Sequence, residues 1–159
     1  MRVLVRMATE ADLDALVALN QVVQSLHAAL YPEDFGVEVD AATVRTRFAA
    51  LLDEPRNEVV VATLDGAVAG YVWIERQVRP PSPFYHRRDR IYVHHLAVAL
   101  HARRHGVAAA LFRHIEQRAC AEGVTDLYLE SWDANADAHA FFAAQGFTRL
   151  KVMFRKRLI

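Results

Sequence analysis

The chain has 159 residues, a length that suits one domain with a proper core. Its 19 basic and 19 acidic residues cancel, which argues against a general nucleic-acid or anionic-membrane binder, since both need a basic excess. No apolar run approaches the ~20 residues of a membrane span. The N-terminus does not read as a signal peptide, so a cytoplasmic location is expected, and the lone Cys120 leaves no internal disulfide and no multi-cysteine metal site.

Arg2 to Arg6 alternates Val3 and Val5 with polar partners and predicts a strand. Thr9 then caps a helix, with Asp12 three residues on, close to a capping box. Leu13, Leu16, Val17, Leu19 and Val23 give that helix an apolar face to about Leu30, where Pro32 stops it. Asp40 caps a second helix over Ala41 to Leu52. Glu58 to Leu64 and Ala67 to Glu75 are strands joined by Asp65-Gly66, a hairpin turn. Val78 to Asp89, with its prolines and arginines, reads as a loop leading to a strand over Arg90 to Val98. A helix from Gly106 to Cys120 ends at Glu122-Gly123. Thr125 to Ser131 predicts a strand, Ala134 to Ala144 a helix, and Phe147 to Leu158 a final strand.

The order is β-α-α-β-β-β-α-β-α-β, without repeats or linkers, so residues 1–159 are expected to form one domain. The hairpin strands must be antiparallel, and the unit from Arg90 to Ser131 a parallel, right-handed crossover. The expected fold is α/β: a mixed central sheet with helices on both faces.

The turn Arg103-Arg104-His105-Gly106-Val107-Ala108 opens the crossover helix that follows the fourth strand. A helix N-terminus has unpaired N–H groups and the positive end of the macrodipole, so it attracts anions. Gly106 and Ala108 let a diphosphate approach the backbone, and Arg103 and Arg104 add forked donors. On the preceding strand, period-two alternation puts Tyr92, His94, Leu96 and Val98 on one face, with His95 on the other unless a bulge intervenes.

These residues carry a family resemblance. Arg103-x-x-Gly106-x-Ala108 resembles the acetyl-CoA signature of the GNAT superfamily of N-acetyltransferases, Arg or Gln-x-x-Gly-x-Gly or Ala. Val5-Arg6-x-Ala8-Thr9-x-x-Asp12 is similar to the family's opening segment. Leu127 to Phe147 is similar to its second half, with Asn135, Ala138, Phe141, Gly146 and Phe147 in register. The resemblance covers most of the chain and implies a splayed pair of strands, Arg90–Val98 and Thr125–Ser131, around the cofactor.

It also implies direct acetyl transfer from acetyl-CoA to a primary amine. By resemblance the amides of Arg103, Arg104, His105, Gly106, Val107 and Ala108 hold the pyrophosphate. Leu96, Ala97 and Val98 pair with the pantetheine arm, and Asn135 reaches it near the thiol or else caps its own helix. The family tyrosine that protonates the leaving thiolate is replaced here by Phe142, which would contact the cofactor but cannot donate. A histidine on the strand is matched to neutral pH, so His94, then His95, then Glu130 are the candidate bases. Aromatic and acidic side chains suit a cationic amine, and His27, Tyr31, Glu33, Phe35, Tyr85 and Trp132 are the candidate acceptor contacts. No metal site is expected. A small-molecule amine is the expected partner, and the open sheet edges leave room for a homodimer. The rivals are a peptide or protein N-terminal acetyltransferase and a non-catalytic acyl-CoA-binding module.

Overall fold

Spatial order follows chain order in the sheet. The computed structural model describes residues 1–159. In it β1 (Val3–Met7), β2 (Asn57–Leu64), β3 (Ala67–Arg79), β4 (Arg88–Val98) and β5 (Leu127–Leu129) lie side by side in that sequence. The first three junctions are antiparallel, and β4 with β5 is parallel. Helices α1 (Leu13–Leu30) and α2 (Ala41–Asp53) cover one face. Helices α3 (Val107–Ala121) and α4 (Ala136–Ala144) cover the other. This is the mixed sheet with helices on both faces that the sequence predicts. No helix is long and apolar enough to cross a membrane.

Local chemistry explains the entries into the helices. Thr9 and Asp12 form the capping box: the Thr9 N–H donates to Asp12 Oδ2 at 2.8 Å. Arg6 adds two hydrogen bonds to the same buried carboxylate, at 2.7 and 2.8 Å. One turn of 3-10 helix, Glu10–Asp12, precedes α1. Asp40 caps α2 by accepting from the Thr43 N–H at 2.8 Å. Asp65 and Gly66 both take positive φ, the geometry of a tight hairpin turn.

Each face has its own core. Under α3, Val60, Val72, Ile74, Ile91 and Val93 of the sheet meet Val107, Leu111, Phe112 and Ile115. Under α1 and α2, Val59, Val61 and Tyr71 meet Leu13, Leu16, Phe48 and Leu51. Gly70 matters to the first of these. A Cβ there would lie 2.8 Å from Val107 Cγ1 and 2.9 Å from the Ala97 carbonyl oxygen. Only a glycine lets β3 pass so close to the start of α3.

Four expectations are corrected. The strand expected over Phe147 to Leu158 does not form, so the order ends β-α rather than β-α-β. Residues 148–159 make no backbone hydrogen bond; their alternation suits a strand, but β5 is only three residues long and offers too short an edge. Instead Arg155 pairs with Asp34 at 2.8 Å and Arg157 with Glu33. The strand expected at Thr125–Ser131 is Leu127–Leu129. The loop expected over Val78–Asp89 is shortened at both ends, because β3 runs to Arg79 and β4 starts at Arg88. The last helix begins at Ala136 rather than Ala134, with Asn135 as its cap.

Candidate active site

The site grows from a defect in β4. In the ladder with β3, Trp73 lies opposite His95 and Ile74 opposite Val93, so His94 is an extra residue, a β-bulge. The bulge inverts the alternation. Ile91 and Val93 face α3, and so do Leu96 and Val98 beyond the bulge. Ala97 faces α1 and α2 instead. The expected sharing of one face by Tyr92, His94, Leu96 and Val98 is therefore broken. Tyr92 and His94 lie together, ring centroids 4.8 Å apart, and His95 joins their face, its ring 5.9 Å from that of Tyr71.

His94 is held on three sides. Its ring stacks on Trp73 at 4.4 Å, and Trp73 is itself fixed by an Nε1–H bond to Asn57 Oδ1 at 2.7 Å. His94 Nε2 lies 2.6 Å from Glu75 Oε2. The Gln77 amide donates to the same carboxylate at 2.9 Å, and Arg90 donates to Gln77 at 2.9 Å. These bonds, that of Gln77 first and that of His94 next, hold the Glu75 carboxyl below its usual range.

His95 sits differently. Its Nδ1 lies 2.5 Å from the hydroxyl of the fully buried Tyr71. Burial, reinforced by His27 and His94 nearby, pushes the His95 imidazole down to about 4. Burial pushes the Tyr71 phenol up. Asn20 also reaches the Tyr71 hydroxyl; with the phenol donating to His95 Nδ1, the neutral ring carries its own proton on Nε2.

Glu130 is exposed and lies against the Tyr92 phenol, which burial and then the Glu130 carboxylate push up. Arg90 covers both Tyr92 and Tyr128, at 5.5 and 4.5 Å from their ring centroids.

Beyond the bulge β4 loses its neighbour. Pairing with β5 stops at Val93 opposite Leu129, and β4 runs on to Val98 paired with β3 alone. The splay thus begins beside His94, and the edge at Leu96, Ala97 and Val98 has no strand against it on that side. Past the strand end, the backbone N–H groups from Arg104 to Ala109 donate to no protein acceptor. Arg104 and Gly106 both take positive φ, 63° and 77°. Alternation of this kind turns successive N–H groups into one concavity that favours an anion. Arg103, Arg104 and His105 are exposed around it, while Val107 is buried and anchors the turn on Gly70. These groups fit a diphosphate.

Most of the candidate acceptor contacts converge. His27 packs on Phe35 at 4.9 Å, Phe35 on Trp132 at 5.1 Å and Tyr31 on Trp132 at 4.7 Å. The Tyr31 hydroxyl accepts the Ala134 N–H at 2.8 Å, tying the loop after α1 to the entry of α4. Glu33 is already paired with Arg157. Tyr85 is apart from this group, at the tip of the β3–β4 hairpin under Arg79. Asn135 caps α4 through the Ala138 N–H at 3.2 Å. Phe142 packs with Phe112, Phe141 and Phe147, on the α3 side of the sheet.

The model of the acetyltransferase (GNAT) family matches residues 20–147. The chain belongs to the GNAT family. An N-acetyltransferase of Mycobacterium tuberculosis described as uncharacterized, Rv2669, is 30% identical over 143 residues, covering 87% of this chain and 83% of the relative. The fold is shared with a mutant of the BH1408 protein from Bacillus halodurans, at a TM-score of 0.91 and 24% identity over 98% of this chain and 99% of that one. It is also shared with an aminoglycoside acetyltransferase from an uncultured soil metagenomic sample, solved in complex with sisomicin. That chain gives a TM-score of 0.65 and 18% identity, with 99% of this GNAT chain and 97% of the other covered.

Sequence reasoning missed Glu75, Tyr71 and Trp73. All three stand at period two on β3, a pattern that places them on one face. What it cannot show is that this face meets His94 and His95.

Proposed function

We propose that the chain is an acetyl-CoA-dependent N-acetyltransferase that acts on the primary amine of a small molecule by direct transfer in a ternary complex. The observation that carries this reading is the arrangement along β4. An anion-binding turn lies past its end, an open edge at Leu96–Val98 comes next, and an imidazole–carboxylate pair stands where the splay begins.

Acetyl-CoA supplies the acyl group as a thioester. The N–H groups from Arg104 to Ala109 would hold its diphosphate, with Arg103 beside them, and the open edge of Leu96, Ala97 and Val98 would pair with its amide-bearing arm. Glu75 stays ionised and accepts the His94 Nε2–H. That leaves Nδ1 as the basic nitrogen of His94, the atom that takes the amine's proton. Glu75 then faces the imidazolium, the role of an orienting carboxylate. His95, held at about 4, is too weak a base for this step. Phe142 has no proton to give. The site manages without an acid there, since a thiol with a pKa near ~8.5 departs as its thiolate.

The test is thiol release from acetyl-CoA with a panel of small amines and peptides. Turnover on small amines is the expected result. Turnover confined to peptides would redirect the reading to a peptide N-terminal acetyltransferase. Tight acetyl-CoA binding with no turnover on any acceptor would favour a binding module, the rival that the packed Phe142 ring supports.

A further inference from the structure

A cavity of about 210 Å³ lies between α1, α2 and the sheet, next to the His94–Glu75 pair. Its floor is apolar: Val44, Phe48, Leu51 and the Trp73 ring. Its polar lining is Asn20, Thr43, Arg47 and His95, and it contains no carboxylate. Arg47 is the one charged group on it. The other arginine of α2, Arg45, is paired with Asp14. Arg47 enters no ion pair and no hydrogen bond, and lies over Trp73, 5.3 Å from the ring centroid. A guanidinium beside an apolar floor, without an acid, is a half-built site for an anion.

His95 adds to the same bias. Its Nδ1 is taken by the Tyr71 hydroxyl at 2.5 Å, and with the phenol as donor the nitrogen left for the cavity is an Nε2–H. The ring stays neutral over the physiological range, so that donor does not change with pH. Asn20 adds a further amide, whereas the Thr43 hydroxyl already donates to Asp40 Oδ2 at 2.6 Å. Trp73 links this cavity to the reactive pair, since it forms part of the floor and stacks on His94 at 4.4 Å.

We propose that the cavity binds a carboxylate carried by the acceptor itself, so that the amine acetylated at His94 belongs to an amino acid-like molecule with an apolar body. This deepens the acetyl-transfer reading and rests on it. Arg47 supplies attraction for the carboxylate and repulsion for a second cation, so polyamines and other polycations are selected against. The loop acids that would otherwise draw a polycation are neutralised: Asp34 by Arg155 and Glu33 by Arg157.

The experiment is equilibrium titration of the full chain, with coenzyme A present, using two matched pairs. Phenylalanine is compared with phenethylamine, and ε-aminocaproate with pentylamine; in each pair the second compound lacks only the carboxylate. In at least one pair the carboxylate-bearing amine should bind about tenfold tighter or more. Arg47→Gln should bring that ratio close to one, Arg47→Lys should keep part of it, and Arg45→Gln, outside the cavity, should leave it intact. Equal binding within both pairs, a preference that survives Arg47→Gln, or no binding by any of the four compounds would overturn the proposal. Acetylation measured alongside separates the two readings: carboxylate-selective binding that depends on Arg47 but yields no acetylated product would uphold this site and count against acetyl transfer.

Discussion

Beneath α3 the sheet is dry: Val60, Val72, Ile74, Ile91 and Val93 are buried against Leu111, Phe112 and Ile115. Beneath α1 and α2 a core of Val59, Val61 and Tyr71 gives way on β3 and β4 to Trp73, Glu75, Tyr92, His94 and His95. At the edge of the α3 side the charges close on one another, Glu58 and Arg76 with Arg118 and Glu122; on the other side β3 and β4 leave packing for an imidazole–carboxylate pair. The switch depends on the bulge at His94, which puts two adjacent histidines on the helical-hairpin side while Leu96 and Val98 go back to the α3 side. A sheet can therefore carry a reactive site without opening its core.

This contrast is open to direct attack. Phe112→Ala empties the centre of the dry side and should cost about 3–5 kcal/mol of stability, read in denaturant melts. A loss under ~1 kcal/mol would mean that the α3 side is not the main core. On the other side, His95 gives a pH signature. Its folded pKa is depressed from the usual ~6.5 to about 4, so the unfolded chain binds the extra proton between those values. The stability contributed by the neutral ring is present above ~6.5 and is lost as pH falls towards 4, on the order of 2 to 3 kcal/mol. His95→Phe should flatten that slope; an unchanged slope would place the titration elsewhere.

Gly70→Ala tests the junction between the two sides, since its Cβ would press on Val107 and the Ala97 carbonyl. A destabilisation of about 1–3 kcal/mol is expected, with weaker acetyl-CoA binding because Val107 opens the turn proposed to hold the diphosphate. The smallest effect is at the α4 cap. Asn135→Ala should cost about 1 kcal/mol and Asn135→Asp almost nothing.

Much of the fold was legible because its signals are local. Asp40 before Ala41, the Asp65-Gly66 turn and Gly106 at the head of α3 each act within a few residues. The Arg103–Ala108 turn was legible for the same reason: its chemistry belongs to a contiguous stretch of backbone. The side proposed for the acceptor was less so. Glu75 and His94 are distant in sequence, and only the β3–β4 ladder brings them together. The bulge did leave a trace, since the apolar residues of β4 fall at Ile91, Val93, Leu96 and Val98, one step out of phase. The strand misread at Phe147–Leu158 shows the opposite error, in which alternation is present but the paired edge that makes a strand is missing.

The central claim is that an amine loses its proton to His94 with Glu75 behind it. The most direct measurement is the pH profile of kcat for amine acetylation by wild type and Glu75→Gln, with acetyl-CoA affinity and melting temperature followed in parallel. The account predicts that Glu75→Gln lowers kcat by about 10²–10³ across the profile, while cofactor affinity and stability hold. A kcat within a few-fold of wild type would contradict it.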